Sequence, residues 1–129
     1  MADNIILIDT SILIDYFRKS DKANSKLISL LKEGYKFHIS AITEYEIYSG
    51  STTDQQRFWE ELLNKTEVLS FDSKATKIAV EINGELRRRS NQIAIADLFI
   101  AATAISNNLP FATLNRKHFD RIGSLIIIG

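Results

Sequence analysis

Two hydrophobic rhythms alternate along this chain. Short solid apolar runs, such as Ile5 to Ile8, are separated by stretches in which apolar residues recur every three or four positions. Solid β-branched runs predict strands buried on both faces, and the slower rhythm predicts amphipathic helices. Strands are expected at Ile5–Ile8, Phe37–Ser40, Val68–Phe71, Phe111–Thr113 and Leu125–Ile128. A helix over Ser11 to Lys19 follows the first strand, with Thr10 or Ser11 as N-cap. Ala23, Leu27, Leu30 and Leu31 mark a second helix that ends at Gly34.

Thr43 to Ser49 reads as a short helix closing at Gly50, and Phe58, Trp59, Leu62 and Leu63 line another, with Asp54 as its N-cap. Asp72 caps a long helix whose stripe is Ala75, Ile78, Ala79, Ile82 and Leu86. Gly84 interrupts that helix at a cost of up to about 1 kcal/mol against Ala, and close packing is one reason to keep it. Ala96 to Asn107, rich in small residues, is a further helix. Strands that alternate with helices predict an α/β fold, a mainly parallel sheet sandwiched by helices.

Composition narrows the classes. A chain of 129 residues with 45% hydrophobic content suits one domain with a sizeable core. Lys plus Arg and Asp plus Glu both number 16, so no global basic field attracts nucleic acid, although a local basic rim remains open. The absence of cysteine excludes a disulfide scaffold, a thiolate metal site and a Cys nucleophile. No basic segment opens the chain, Asp9 and Asp15 break its first apolar stretch, and no apolar run approaches the roughly 20 residues of a spanning helix. The expected compartment is the cytoplasm.

Three acids stand where apolar runs meet helices: Asp9 after Ile5 to Ile8, Glu46 after Phe37 to Ser40, and Asp97 before Leu98 to Ala102. Each has a plain structural reading. Asp9 could serve as a turn or cap residue. Thr43-Glu44-Tyr45-Glu46 fits a capping box, in which the Glu side chain bonds back to the N-cap amide. Asp97 would complement a helix dipole by about 0.3–1 kcal/mol. None of these readings explains why three acids occupy the same kind of junction, where α/β proteins gather ligands. Carboxylates about 4 Å apart repel by roughly 4 kcal/mol at an effective dielectric of 20, so a cluster calls for a cation. An oxygen-only donor set favours Mg²⁺ or Mn²⁺. His38 and His118 read as structural or surface residues.

The same residues carry a family pattern. Ile8-Asp9-Thr10-Ser11-Ile12-Leu13 resembles the first motif of the PIN domain, and Ser40 through Gly50 resembles the second. Ala96-Asp97-Leu98-Phe99-Ile100-Ala101-Ala102-Thr103-Ala104 resembles the third, and Phe111 through Phe119 the closing motif. The match spans nearly the whole chain, and its length is similar to that of VapC-type toxins of prokaryotic toxin–antitoxin pairs.

The resemblance implies a single PIN-like domain over residues 1–129, with a five-stranded, mainly parallel sheet flanked by helices on both faces. It implies a Mg²⁺-dependent endoribonuclease that hydrolyses RNA phosphodiesters with metal-activated water, leaving a 3′-hydroxyl and a 5′-phosphate. By position, Asp9, Glu46 and Asp97 become the acidic ligands, with Glu46 selected over Glu44. The fourth position falls on Asn115, which offers a carbonyl oxygen but no charge; Asp120, five residues on, is the substitute. Thr10, Ser11 and Thr113 become orienting groups. Three carboxylates admit one divalent cation readily, and a second when the scissile phosphate adds its charge. Arg116, Lys117 and Arg121 are candidate RNA contacts, whereas Arg87-Arg88-Arg89 reads as a solvated helix end. A VapB-like antitoxin and a homodimer are further implications. The alternatives are a PIN-like module that binds RNA or protein without cutting it, and a phosphoryl-transfer module of another doubly wound family. The latter would want Asp-x-Asp, and Asp9 is followed by Thr10 and Ser11.

Overall fold

A computed structural model describes residues 4–129 of the chain. Strands β1 (Ile5–Ile8), β2 (Lys36–Ser40), β3 (Val68–Leu69) and β4 (Phe111–Ala112) form a parallel sheet in the order β3-β2-β1-β4. Helices α1 (Thr10–Arg18) and α2 (Lys26–Lys32) join β1 to β2, and α3 (Ala41–Gly50) and α4 (Thr53–Leu63) join β2 to β3. Helices α5 (Ser73–Arg88) and α6 (Ile95–Ser106) lead back to β4, and the short α7 (Arg116–Phe119) follows it.

The pleat of β1 feeds two cores. Ile6 and Ile8 pack among Ile12, Leu13, Leu27, Leu30, Ile39, Ile47, Trp59 and Leu63 of α1 to α4 and β2. Leu7 points the other way, into Ala79, Ile82, Leu86, Leu98, Ile100 and Phe111 beneath α5 and α6. A strand covered on both faces must be apolar at every position, which is why Ile5 to Ile8 shows no polar alternation. Beyond α1, Lys22 donates to the carbonyls of Tyr16 and Phe17 at 2.9 Å each and sits over the Tyr16 ring. This ties the end of α1 to the start of the next segment.

The expected fifth strand is reduced to one bridge. Ile127 pairs in parallel with Phe111, through Phe111 N to Ile126 O at 2.8 Å and Ile128 N to Phe111 O at 2.9 Å. Because β4 is only two residues long, Leu125–Ile128 has no further partner on that edge, and Ile126 faces solvent.

The helix caps also differ from expectation. Asp9, rather than Thr10 or Ser11, is the N-cap of α1, accepting from Ile12 N. Thr52, rather than Asp54, caps α4, in a capping box closed by Gln55. Asp72 caps α5 as expected, at 3.0 Å from Ala75 N. Gly84 is not explained by close packing: a Cβ there would meet only Arg88 Nη1, at 3.7 Å.

The chain turns from β3 back past β2 and β1 to reach β4, so the switch in strand order lies between β1 and β4. In open parallel sheets the crevice outside the carboxyl ends of the strands at that switch is where ligands bind. Asp9 immediately follows β1, and Thr113 immediately follows β4.

Candidate active site

Asp9 is buried, at 3% exposure, yet its carboxylate is well supplied with donors. Oδ1 accepts from the Ser11 hydroxyl and from Ile12 N, and Oδ2 accepts from the Thr113 hydroxyl at 2.6 Å. The two hydroxyls are fixed in turn: Ser11 Oγ accepts from Leu114 N at 3.0 Å, and Thr113 Oγ1 from Asn115 N at 2.9 Å. Burial nevertheless pushes the Asp9 carboxyl above its ordinary range. The hydrogen bonds from Ser11, Thr113 and Ile12 pull it back, and the charge of Asp97 adds to the upward push.

Glu46 is free of capping duty. The N-cap of α3 is Ser40, whose hydroxyl accepts from Thr43 N at 3.0 Å, so Thr43 is inside the helix and the capping box with Glu46 does not form. Glu46 instead accepts a 2.6 Å hydrogen bond from Thr10 Oγ1, which also lies 3.1 Å from Thr43 Oγ1. Helix α1 thus holds the acid of α3. Glu44 does not line the cavity that Glu46 enters.

Asp97 lies in the first turn of α6, whose N-cap Ala94 makes no side-chain bond. Its Oδ2 is 3.4 Å from His118 Nδ1 on α7. His118 is a surface residue, as expected, that also lies against Asp97. No local pattern signals that contact, because α6 and α7 meet only in the folded chain.

One cavity of about 650 Å³ collects these groups: Asp9, Thr10, Ser11, Glu46, Asp97 and Asn115 all line it. Asp15 and Arg18 of α1 and Lys19 just after it complete its polar wall, with no motif in the sequence to mark them. The i to i+4 spacing of Ile14 and Arg18, continuing from Thr10, is the signal that could have placed them on that face. Asp120 is outside the cavity, exposed and paired with Arg116 at 4.0 Å, so Asn115 is the fourth-position residue that reaches the site.

The three acids share a cavity but each has its own neighbour: Asp9 accepts from Ser11 and Thr113, Glu46 accepts from Thr10, and Asp97 lies beside the His118 ring. Among the described residues, no three His, Asp or Glu side chains converge closely enough to hold an ion as they stand. The donor chemistry still fits a hard divalent cation. The set is oxygen-only, and a cation would offset the negative charge that Asp97 brings to bear on Asp9.

The candidate RNA contacts separate. Arg116 and Lys117 line a neighbouring cavity that shares Leu114 and Asn115 with the acidic one. Arg121 does not join them. Its guanidinium donates to Gln92 O at 2.8 Å and lines a different cavity with Arg89. Arg89 in turn donates to Arg121 O at 3.0 Å and pairs with Glu85, while Arg87 and Arg88 are exposed in the last turn of α5.

A parallel sheet between two helical layers, with an acidic cavity at its switch point, defines an α/β protein whose cavity lies at the carboxyl ends of β1 and β4, where folds of this kind bind ligands. The chain belongs to the PIN domain family, which matches residues 6–125. It is 38% identical over 121 residues to ribonuclease VapC1 of Methanocaldococcus jannaschii, covering 91% of this chain and 80% of that protein. Among solved structures it resembles VapBC2 of Rickettsia felis bound to a DNA fragment from their promoter. That match has a TM-score of 0.79 at 27% identity, over 96% of this chain and 97% of the other. It also resembles VapBC-5 of Mycobacterium tuberculosis, a member of the VapBC family of toxin–antitoxin systems. There the TM-score is 0.71 at 25% identity, over 97% of this chain and 98% of the other.

Proposed function

We propose that this chain is an endoribonuclease of the VapC kind, the toxin of a type II toxin–antitoxin pair, and that it hydrolyses RNA phosphodiesters with the help of a divalent cation. The observation that carries the reading is that Asp9, Glu46 and Asp97 all line one cavity at the strand switch, each from a different part of the chain. The kinship with VapC1 ribonuclease and with VapBC assemblies supports it.

Asp9, Glu46 and Asp97 would hold the cation, with Mg²⁺ the assigned ion and Mn²⁺ an acceptable substitute. Bound there, the cation supplies Lewis-acid stabilisation of phosphate charge and makes water a better nucleophile at neutral pH. The protein's own part is positional. Ser11 and Thr113 fix Asp9, Thr10 fixes Glu46, and His118 restrains Asp97. Asn115 offers an uncharged oxygen at the cavity wall. The leaving ribose oxygen is expected to depart as a 3′-hydroxyl, with the phosphate retained on the 5′ end.

An antitoxin partner and a cytoplasmic site of action belong to the same reading. No helix among the described residues is long and apolar enough to cross a membrane. A homodimer is also proposed; exposed Val80 and Ile95, beside Phe71 and Phe99 on the α5–α6 face, support it.

The test is RNA cleavage by the purified protein with Mg²⁺, with EDTA, and by Asp9→Asn, Glu46→Gln and Asp97→Asn variants. Cleavage should stop in EDTA and fall by more than about 100-fold in each variant, as loss of several kcal/mol of charge stabilisation requires. A second reading, a PIN-like module that binds RNA or protein without cutting it, is favoured only by the acids' failure to converge as they stand. Cleavage that survives EDTA would defeat the metal-dependent reading. Tight RNA binding without cleavage would install the second.

A further inference from the structure

The acidic cavity repels the very chain it is proposed to cut. Four carboxylates line it, those of Asp9, Asp15, Glu46 and Asp97, against two cations, Arg18 and Lys19. The chain as a whole carries no net charge to compensate. Lys19 is already 3.7 Å from Asp15. Cations beside such a centre would strengthen its hold on a polyanion, through contacts with phosphates that do not react.

Cavities flank the centre in series. On one side a cavity of about 190 Å³ shares Ile14, Arg18 and Glu46 with it. On the other a cavity of about 540 Å³ shares Leu114 and Asn115. The two lie on different sides of Asp9, because Glu46 belongs to the helix that follows β2, Leu114 and Asn115 follow β4, and β1 runs between those strands. The larger one is lined by Lys26, Arg116, Lys117 and His118 and by no Asp or Glu side chain. Its cations are weakly engaged: Arg116 reaches Asp120 only at 4.0 Å in an exposed pair, and Lys26 donates to Gly129 O at 3.2 Å. Neither Lys117 nor Arg18 forms an ion pair among the described residues.

We propose, resting on the ribonuclease reading, that the cavity of Lys26, Arg116, Lys117 and His118 is a phosphodiester-binding site. Together with Arg18 it grips the RNA strand on both sides of the scissile phosphate. The order is cation, acids, cations, with Arg18 on one side and Lys26, Arg116 and Lys117 on the other. It suits a single strand laid across the acids, with its neighbouring phosphates on the cations and the reacting one in the middle. Arg18 and Lys117 are positioning residues in this scheme, acting on phosphates that do not react.

The experiment measures binding of a fluorescein-labelled single-stranded RNA of mixed sequence across a salt series, in a Glu46→Gln background that retains the RNA uncut. Each phosphate contact on a single strand contributes about 0.7 to the slope of log affinity against log salt. Arg18→Ala and Lys117→Ala should each flatten the slope by about 0.7 and the pair by about 1.4, while Arg57→Ala, which lines none of these cavities, should not. Methylphosphonate substitution, scanned through the RNA, should abolish the Arg18 effect at a phosphate on one side of the cleavage site and the Lys117 effect on the other. An unchanged slope in either variant overturns the grip, as does one phosphate that answers to both. Equal losses with a polyglutamate peptide would give the surface to acidic protein segments instead and overturn it as well. If the parent protein neither binds nor cuts RNA, the ribonuclease reading fails. If it cuts RNA in Mg²⁺ and the slopes do not move, only the two-sided grip fails.

Discussion

Thr113 donates a 2.6 Å hydrogen bond to Oδ2 of Asp9, joining residues 104 positions apart in the chain. Both partners are buried, and each directly follows one of the two strands that flank the switch in strand order. The bond ties the carboxyl ends of β1 and β4 together at the floor of the cavity. It also explains how an acid at 3% exposure stays usable: its oxygens are satisfied by donors rather than by water.

Removing that donor should therefore be felt twice. Thr113→Val keeps the shape but leaves Oδ2 of Asp9 short of a partner, which costs about 1–3 kcal/mol. Cleavage should drop by about 10–100-fold, the usual loss when the support of a metal-binding acid is removed. Thr113→Ser should restore most of both. Urea unfolding and cleavage rates, run on the same preparations, check the pairing; an intact Thr113→Val enzyme would break it.

The pH dependence of stability follows from Asp9. Burial raises its carboxyl above the ordinary carboxylate range in the folded protein, so the folded state binds that proton more tightly than the unfolded chain does. The associated stability is fully present below the unfolded value and is lost as pH rises through the raised folded value. The cation-free protein should thus lose stability as pH climbs out of the carboxylate range. Asp9→Asn should remove this part of the profile and be more stable than the parent at neutral pH, since Asn can still cap α1. Thermal melts in EDTA across pH decide it, and a clear loss of stability in Asp9→Asn would show that the charge itself holds the fold.

A divalent cation should reverse that penalty. Binding to the folded state alone stabilises by about 2.7 kcal/mol at 100 times the dissociation constant, or roughly 10 °C in melting temperature for a chain of this size. Mg²⁺ should raise the melting temperature of the parent, EDTA should undo the rise, and Asp97→Asn should show little of it. A melting temperature indifferent to Mg²⁺ would remove the cation from these acids.

Gly84 offers a prediction with no chemistry in it. It lies inside α5, and a Cβ would touch only the tip of Arg88 at 3.7 Å. Gly84→Ala should stabilise the protein by about 0.5–1 kcal/mol, through higher helix propensity and a less flexible unfolded chain. Denaturant midpoints at constant slope would report it; destabilisation would mean that another chain packs against this face.

Much of the fold is legible along the chain because strands and helices answer to local patterns. Ile5 to Ile8 is solid because both faces of β1 are covered, and the spacing of Ala75, Ile78, Ala79, Ile82 and Leu86 marks the face that α5 buries. Caps were read less well where several capping residues follow one another. In Asp9-Thr10-Ser11 and in Thr52-Thr53-Asp54, any of the three could cap, and the choice depends on where the preceding segment leaves the fold. The same holds for Ser40, which caps in place of Thr43 because α3 begins at Ala41, directly after β2, rather than at Thr43. Leu125–Ile128 has the composition of a strand but lacks a neighbour long enough to pair with it.

By itself, then, the sequence determined the alternation of strands and helices, the acidic character of three junctions and the family to which they belong, since each is written in residues close together in the chain. Only the tertiary structure decided which side chains meet. Thr10 reaches Glu46, Thr113 reaches Asp9 and His118 reaches Asp97 because parallel pairing places the ends of β1, β2 and β4 side by side. The same packing separates Arg121 from the site and brings Arg18 to it. Those meetings depend on strand order and helix packing, which arise from burying two apolar cores at once and leave no local mark on the residues that they join.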